Sequence, residues 1–169
     1  MNKITLHLII LLTLFCCQSS EEKFINAEFN KIQGHWLINS FENRTTIPNA
    51  TGGSIAKRLK TGEMILNNCK YTEKSFSVPG RSCGGNFQIN GYLYGLSYQY
   101  DYASKLYTIS LSVPHGTNGK PLDDAFDKSL IDLLYGEWTL EVFDNQLKAT
   151  QRKGFNDFNT LVSFTATRK

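Results

Sequence analysis

The sequence predicts an all-β protein, an antiparallel and mostly up-and-down barrel of eight strands with one helix before the sixth strand. The main observation is the stretch 92–102, where large apolar side chains occupy every second position. Period two sends such side chains to one face of a strand. Turn sequences at Asn90-Gly91 and Ala103-Ser104 flank the stretch. Together they predict a three-stranded meander with one aromatic face.

Both predicted turns set a register that gathers apolar residues on the same face. An Asn-Gly pair favours a two-residue hairpin because both positions need positive φ. The predicted cross-strand pairs are Ile89–Tyr92, Phe87–Tyr94, Gly85–Leu96 and Cys83–Tyr98 in the first hairpin, and Tyr100–Tyr107, Tyr98–Ile109, Leu96–Leu111 and Tyr94–Val113 in the second. Ser97, Gln99 and Asp101 then point outward.

The remaining elements follow from alternation and turn residues. Apolar residues at helical spacing follow Pro121 and end before Gly136, which predicts the single helix. The long segment 43–61, rich in Thr, Gly, Asn and Lys, is predicted as a loop and a possible lid. The other predicted segments are a short helical turn at 27–33 and strands at 34–41, 62–71, 75–78, 137–143, 147–149 and 161–167.

The N-terminus has the features of an export signal. Lys3 precedes an apolar run from Ile4 to Phe15, which is too short to span a bilayer. The sequence Leu14-Phe15-Cys16-Cys17 resembles the lipobox of bacterial lipoproteins, with Cys17 as the lipidated residue. We therefore expect a lipoprotein signal peptide over 1–16, a flexible tether over 17–28 and a barrel domain over 29–169. The alternative is an ordinary signal peptide with two incidental cysteines.

The residues after Cys17 indicate where in the cell the protein is expected to lie. Gln18 to Lys23 is polar and acidic, and it looks like the surface-export tether of Bacteroidota lipoproteins. The resemblance implies a protein held at the outer membrane or cell surface by its lipid anchor.

Two cysteines, Cys69 and Cys83, lie in the predicted exported domain. An oxidising compartment permits a disulfide between them. A metal pair is the competing interpretation, but two cysteines without nearby histidines lack the ligands that zinc requires. We expect a disulfide and no metal.

The tripeptide Gly34-His35-Trp36 begins the first predicted strand and resembles the Gly-x-Trp sequence of lipocalins. In that family the Trp closes the bottom of the barrel, and a long loop after this strand caps its mouth. The segment 43–61 matches that loop, and Gly136-Glu137-Trp138 repeats the tripeptide. The resemblance implies a lipocalin-like domain of the kind found in Bacteroidota lipoproteins.

The sequence offers little catalytic chemistry. His35 and His115 are the only histidines beyond the predicted signal peptide, and they fall on separate elements. No Gly-x-Ser-x-Gly sequence and no phosphate-binding glycine loop is present. A formal charge of +3 is too small to indicate a nucleic-acid partner. We expect neither an enzyme nor a cofactor.

The aromatic residues of the predicted interior are the candidate ligand site. Their rings could stack on a small apolar or aromatic ligand, while the hydroxyls fix its orientation. The candidates are Trp36, Tyr94, Tyr98, Tyr100 and Tyr107. Alternatively the tyrosines fill a solid core, and the barrel is a scaffold that binds a macromolecule through its outer face and loops. An empty cavity favours the first hypothesis, whereas a filled interior with exposed aromatic residues favours the second.

Overall fold

The computed structural model describes residues 19–44, 51–71, 82–116, 124–155 and 159–169. Eight antiparallel strands form a closed barrel in which each strand pairs with the next and the last pairs with the first. This confirms the predicted fold class. The predicted signal peptide, the lipidation site Cys17 and the predicted strand 75–78 lie outside the described residues.

Within the described residues, three helices accompany the eight strands. In chain order the elements are α1 (Ser20–Ile32), β1 (Gly34–Asn43), α2 (Thr51–Arg58), β2 (Gly62–Leu66), β3 (Cys83–Ile89), β4 (Tyr92–Asp101), β5 (Leu106–Gly116), α3 (Asp124–Leu134), β6 (Gly136–Phe143), β7 (Gln146–Gly154) and β8 (Val162–Arg168). The helix predicted before the sixth strand is therefore confirmed as α3.

The central meander has the predicted register over most of its length. All four pairs of the first hairpin are present. Asn90 and Gly91 have φ of 52° and 86°, as their turn requires. The pairs of Tyr100, Tyr98 and Leu96 with β5 are also confirmed.

The pair Tyr94–Val113 is wrong by one residue. Tyr94 lies opposite Pro114, and the register shifts on both sides of Tyr94. Proline has no N–H to donate to a ladder and is tolerated in a sheet mainly at edges and bulges. The irregularity therefore falls where β5 carries its proline.

The tether predicted over 17–28 is wrong from Ser20 onward, where α1 begins. The Ser19 side chain caps this helix by accepting a hydrogen bond from the Glu22 N–H at 3.1 Å. Ile25 and Phe29 on α1 are buried, at 2% and 1% exposure. Ile25 and Phe29 are buried against the end of the barrel. The polar residues beside them in the sequence do not indicate this contact.

Two further boundaries differ from the predictions. The segment 43–61 contains α2, whose Ile55 and Ala56 are buried, so it is not simply a loop. β2 ends at Leu66, and the chain then leaves the sheet towards Cys69. The predicted Cys69–Cys83 disulfide is present, with the two Cα atoms 5.7 Å apart.

The helices close the two ends of the barrel. α1 packs across the end where β4 and β6 finish, with Phe29 against the ring of Tyr98 at 5.6 Å. At the other end α2 contacts α3 and β1, and α3 packs beside β5. The core between these helices includes the indoles of Trp36 and Trp138, which are 0% and 1% exposed.

Candidate functional sites inside and outside the barrel

The five residues predicted to line a ligand cavity are mostly enclosed by protein. Trp36, Tyr94, Tyr98 and Tyr107 are 0%, 0%, 1% and 2% exposed, and Tyr100 is half-buried. Side chains with so little accessible surface have almost no contact with a space that a water molecule could enter. A preformed ligand cavity would leave more of their surface open.

Three of the tyrosines gather beneath α1. The rings of Tyr100 and Tyr107 are 4.8 Å apart in an edge-to-face arrangement. The Tyr98 hydroxyl donates to the Asn67 carbonyl at 2.9 Å. The Tyr107 hydroxyl donates to Glu28 Oε2 at 3.3 Å. Residues of α1 and of the segment after β2 therefore satisfy two phenols that a ligand would otherwise engage.

These phenols remain protonated at physiological pH. Burial raises the pKa of Tyr98 to about 12. Burial, followed by the nearby Glu28 carboxylate, raises the pKa of Tyr100 to about 12 and that of Tyr107 further. A neutral phenol donates a hydrogen bond but does not act as a base. The tyrosines of this cluster therefore pack against neighbouring side chains and donate hydrogen bonds.

Tyr94 lies towards the opposite end of the barrel, and Trp36 lies at the last turn of α1. The Tyr94 hydroxyl donates to Asp127 Oδ1 of α3 at 2.5 Å, near the other end of the barrel. Asp127 is 4% exposed, and its second oxygen has no hydrogen-bond partner among the described residues. Trp36 donates its Nε1–H to the Ile32 carbonyl at 2.7 Å. The five predicted residues thus serve separate parts of the core.

The outer face of the barrel carries a groove that the sequence did not predict as a site. Its volume is about 340 Å³, and it is lined by Ser82, Ser97, Tyr98, Gln99, Thr108, Ser110 and Tyr135. Its floor consists of two cross-strand pairs, Ser97 opposite Ser110 and Gln99 opposite Thr108. Ser97 and Gln99 are partly exposed, whereas Tyr98 between them is buried, which confirms the predicted outward direction of Ser97 and Gln99.

One side of the groove is aromatic. Tyr135 lies in the step between α3 and β6 and is 41% exposed. Its ring is 4.9 Å from that of Phe155, at an interplanar angle of 73°. Pairing between β5 and β6 extends only from Tyr107–Trp138 to Ile109–Gly136. Tyr135 therefore lies where β5 and β6 separate.

The chemistry of the groove is neutral and polar. Its described lining supplies hydroxyl and amide groups beside an exposed ring, and none of the seven described lining residues carries a charge. Alternation indicated which side chains of β4 and β5 face outward. The position of Tyr135 depends on how β6 leaves β5, for which the sequence contains no local signal.

Other chemistry in the described ranges is limited. His35 Nε2 and Glu63 Oε2 are 2.6 Å apart, and this hydrogen bond lowers the pKa of the Glu63 carboxyl. No group of three His, Cys, Asp or Glu residues within those ranges could hold a metal ion. Nor does any described helix combine the length and apolar character needed to cross a membrane.

Comparisons with known proteins do not assign the chain to a family. No family model matches it, and no curated protein or solved structure is significantly similar to it.

Proposed function

We propose that this protein is a lipid-anchored surface lipoprotein whose barrel is a filled scaffold, and that its outer groove binds a neutral, hydroxyl-rich macromolecule such as a glycan chain. The observation that carries the proposal is the contrast in exposure between the two candidate sites. Tyr94 and Tyr107 inside the barrel are 0% and 2% exposed, whereas Tyr135 at the groove is 41% exposed.

The groove supports a glycan better than an apolar ligand. Hydroxyl and amide groups exchange hydrogen bonds with sugar hydroxyls, and an exposed ring provides a flat surface for a sugar face. The described part of the lining carries no charge and therefore gives no advantage to an anionic polymer. A groove open along the barrel wall also admits a chain longer than the site itself.

The proposed anchor rests on the sequence around Cys17. The apolar run before it, the lipobox-like Leu14-Phe15-Cys16-Cys17 and the polar stretch after it support lipidation in a Bacteroidota-type cell envelope. Such an anchor would hold the barrel at the outer membrane or cell surface.

The anchor is tested by substituting its acceptor. Cys17→Ala should abolish incorporation of labelled fatty acid and move the protein from the membrane fraction to the soluble fraction. Cys16→Ala is the matched control and should retain both properties. A labelled, membrane-bound Cys17→Ala variant would show that the acceptor is another residue.

The groove is tested with immobilised neutral and sulfated polysaccharides and the full-length protein in detergent. Tyr135→Ala should weaken binding to the best neutral polysaccharide about tenfold, because a stacked ring contributes about 1.4 kcal/mol. Phe143→Ala removes an aromatic ring that is 71% exposed and does not line the groove, so binding should not change.

An interior substitution separates the two functional hypotheses. Tyr107→Phe removes only the hydroxyl that donates to Glu28. A groove ligand should not detect this change, whereas a ligand inside the barrel should bind more weakly. Binding that falls in Tyr107→Phe and persists in Tyr135→Ala would overturn the groove proposal, as would the absence of binding to every neutral polysaccharide.

A further inference from the structure

Exposed aromatic residues concentrate at the end of the barrel that α1 covers. Among the described residues, five large apolar side chains are exposed. Three of them lie at this end: Phe24, Tyr102 and Phe143, which are 38%, 36% and 71% exposed. Scattered exposed residues need no explanation, but several around one end of a barrel indicate a contact surface.

The topology brings the three residues to one end from different elements. Phe24 lies on α1, Tyr102 directly follows β4, and Phe143 is the last residue of β6. β5 runs antiparallel to both β4 and β6, so β4 and β6 end on the same side of the barrel. α1 itself contacts β6.

A lysine joins two of these rings into a defined cluster. The rings of Phe24 and Tyr102 are 5.4 Å apart, edge to face. Lys105 Nζ lies 3.4 Å from the centroid of Tyr102 and 4.3 Å from that of Phe24. The Asp101 carboxylate accepts the N–H groups of Ala103 and Ser104, which holds the turn in shape. Aromatic rings beside a lysine are the side chains that favour the membrane–water interface.

The predicted lipid would lie close to this cluster. Cys17 precedes the helix cap Ser19 by two residues, which span at most about 7 Å of extended chain. Phe24 lies four residues into α1, about 6 Å along its axis. So short a connection leaves little room for a free tether between the bilayer surface and α1.

We propose that Phe24, Tyr102, Lys105 and Phe143, here called the anchor face, rest in the headgroup region of the bilayer that holds the lipid. This inference rests on the proposed lipidation of Cys17. Glu21 and Glu22 in the first turn of α1 disfavour a strongly anionic surface, so a zwitterionic bilayer is the fitting partner. The domain then sits on the membrane in one orientation.

In this orientation the glycan groove lies on the barrel wall, outside the anchor face. Tyr135 precedes β6 and Phe143 ends it, so about 25 Å of strand separates them. The nearer groove pair, Gln99 and Thr108, lies three residues, about 10 Å of strand, from Tyr102 and Lys105. The groove therefore begins above the anchor face on the barrel wall, and its Tyr135 end is the part most distant from the bilayer.

The test uses full-length lipidated protein in phosphatidylcholine liposomes that contain brominated lipid as a fluorescence quencher. Tyr102→Trp and Phe143→Trp place an indole on the anchor face, and Phe155→Trp places a matched indole near the opposite end. Signals of the buried Trp36 and Trp138 are subtracted with the unsubstituted protein. Quenching at positions 102 and 143 should exceed that at position 155 about threefold or more, as expected for rings at the interface.

The outcomes separate this inference from the anchor on which it rests. Labelled, liposome-bound protein with equal quenching at the three positions overturns the anchor face alone. Protein that incorporates no fatty-acid label overturns both the anchor and its face. Stronger quenching at positions 102 and 143 in labelled protein supports both.

Discussion

The two Gly-x-Trp tripeptides close opposite ends of the barrel with the same local design. Each follows a helix, α1 or α3, and opens a strand, β1 or β6. The Trp36 Nε1–H donates to the Ile32 carbonyl at 2.7 Å, and the Trp138 Nε1–H donates to the Leu134 carbonyl at 3.2 Å. In both cases the acceptor lies four residues earlier and belongs to the last turn of the helix. The indole thus caps the helix that precedes it.

The glycines of the two tripeptides are needed for different reasons. Gly34 has a φ of +132°, which side chains with a Cβ rarely adopt, while the nearest atom to an added Cβ is 4.0 Å away. At Gly136 an added Cβ would meet the Lys153 carbonyl oxygen at 2.1 Å. The first glycine meets a conformational requirement, and the second meets a spatial one.

The two helix ends also receive different caps from the neighbouring strands. Arg168 Nη2 donates to the Lys31 carbonyl at 2.9 Å, and the guanidinium lies 4.6 Å from the Trp36 ring centroid. Gln151, which is 0% exposed, donates to the Leu133 carbonyl at 2.9 Å and accepts from the Val162 N–H at 3.2 Å. One cap is charged and partly exposed, and the other is neutral and buried. A shared Gly-x-Trp pattern therefore does not imply identical energetics.

Removal of the buried helix cap, Gln151, should have the largest effect on the free energy of unfolding. Gln151→Leu leaves the Leu133 carbonyl and the Val162 N–H without these partners, at a cost of about 4 kcal/mol for two buried groups. Arg168→Met should cost only about 1 kcal/mol, because water reaches its helix end. Urea unfolding of both variants measures the difference. Equal losses would mean that burial does not distinguish the two caps.

The two glycine substitutions should have the next largest effects on the free energy of unfolding. Gly136→Ala is expected to lower the free energy of unfolding by about 3 kcal/mol, since backbone atoms must move to admit the Cβ. Gly34→Ala has space and should cost about 1–2 kcal/mol for its backbone strain. Thermal unfolding followed by circular dichroism compares them. A greater loss of stability in Gly34→Ala would show that the conformational requirement at Gly34 outweighs the spatial requirement at Gly136.

Reduction of the Cys69–Cys83 disulfide should destabilise the end of the barrel that α1 covers more than the opposite end. Cys83 pairs with Tyr98, whose ring packs on Phe29 of α1. Reduction should lower the melting temperature by about 6–12 °C, from a loss of about 3 kcal/mol for a loop of this size. Hydrogen exchange should rise more in α1 than in α3. Two freely alkylated thiols in unreduced protein, or equal changes in both helices, would contradict this expectation.

Local patterns were sufficient for the meander and for the fold class. The turn at Asn90-Gly91 and the alternation around Tyr98 each constrain the register, and they agree. The shift at Tyr94 was missed because alternation alone continues through Pro114, whereas a ladder cannot use its missing N–H.

The ends of the barrel were harder to predict because their partners are distant in sequence. α1 buries Ile25 and Phe29 against a surface that includes Tyr98, and its polar first turn indicated a tether instead. The groove depends on Tyr135 meeting strands β4 and β5. The direction of a side chain on one strand was predictable, but the assembly of three elements was not.

The pairing of β1 with β8 has a consequence for how the chain folds. Trp36 lies opposite Arg168, so the first strand gains its second neighbour only from the last seven-residue strand. Contacts so distant in sequence form slowly, because a long loop must close before they stabilise anything. A chain that emerges from its N-terminus, from a ribosome or through a membrane channel, cannot close the barrel until β8 has emerged. Until then β1 keeps an open edge, because its second neighbour is the last strand of the barrel to appear.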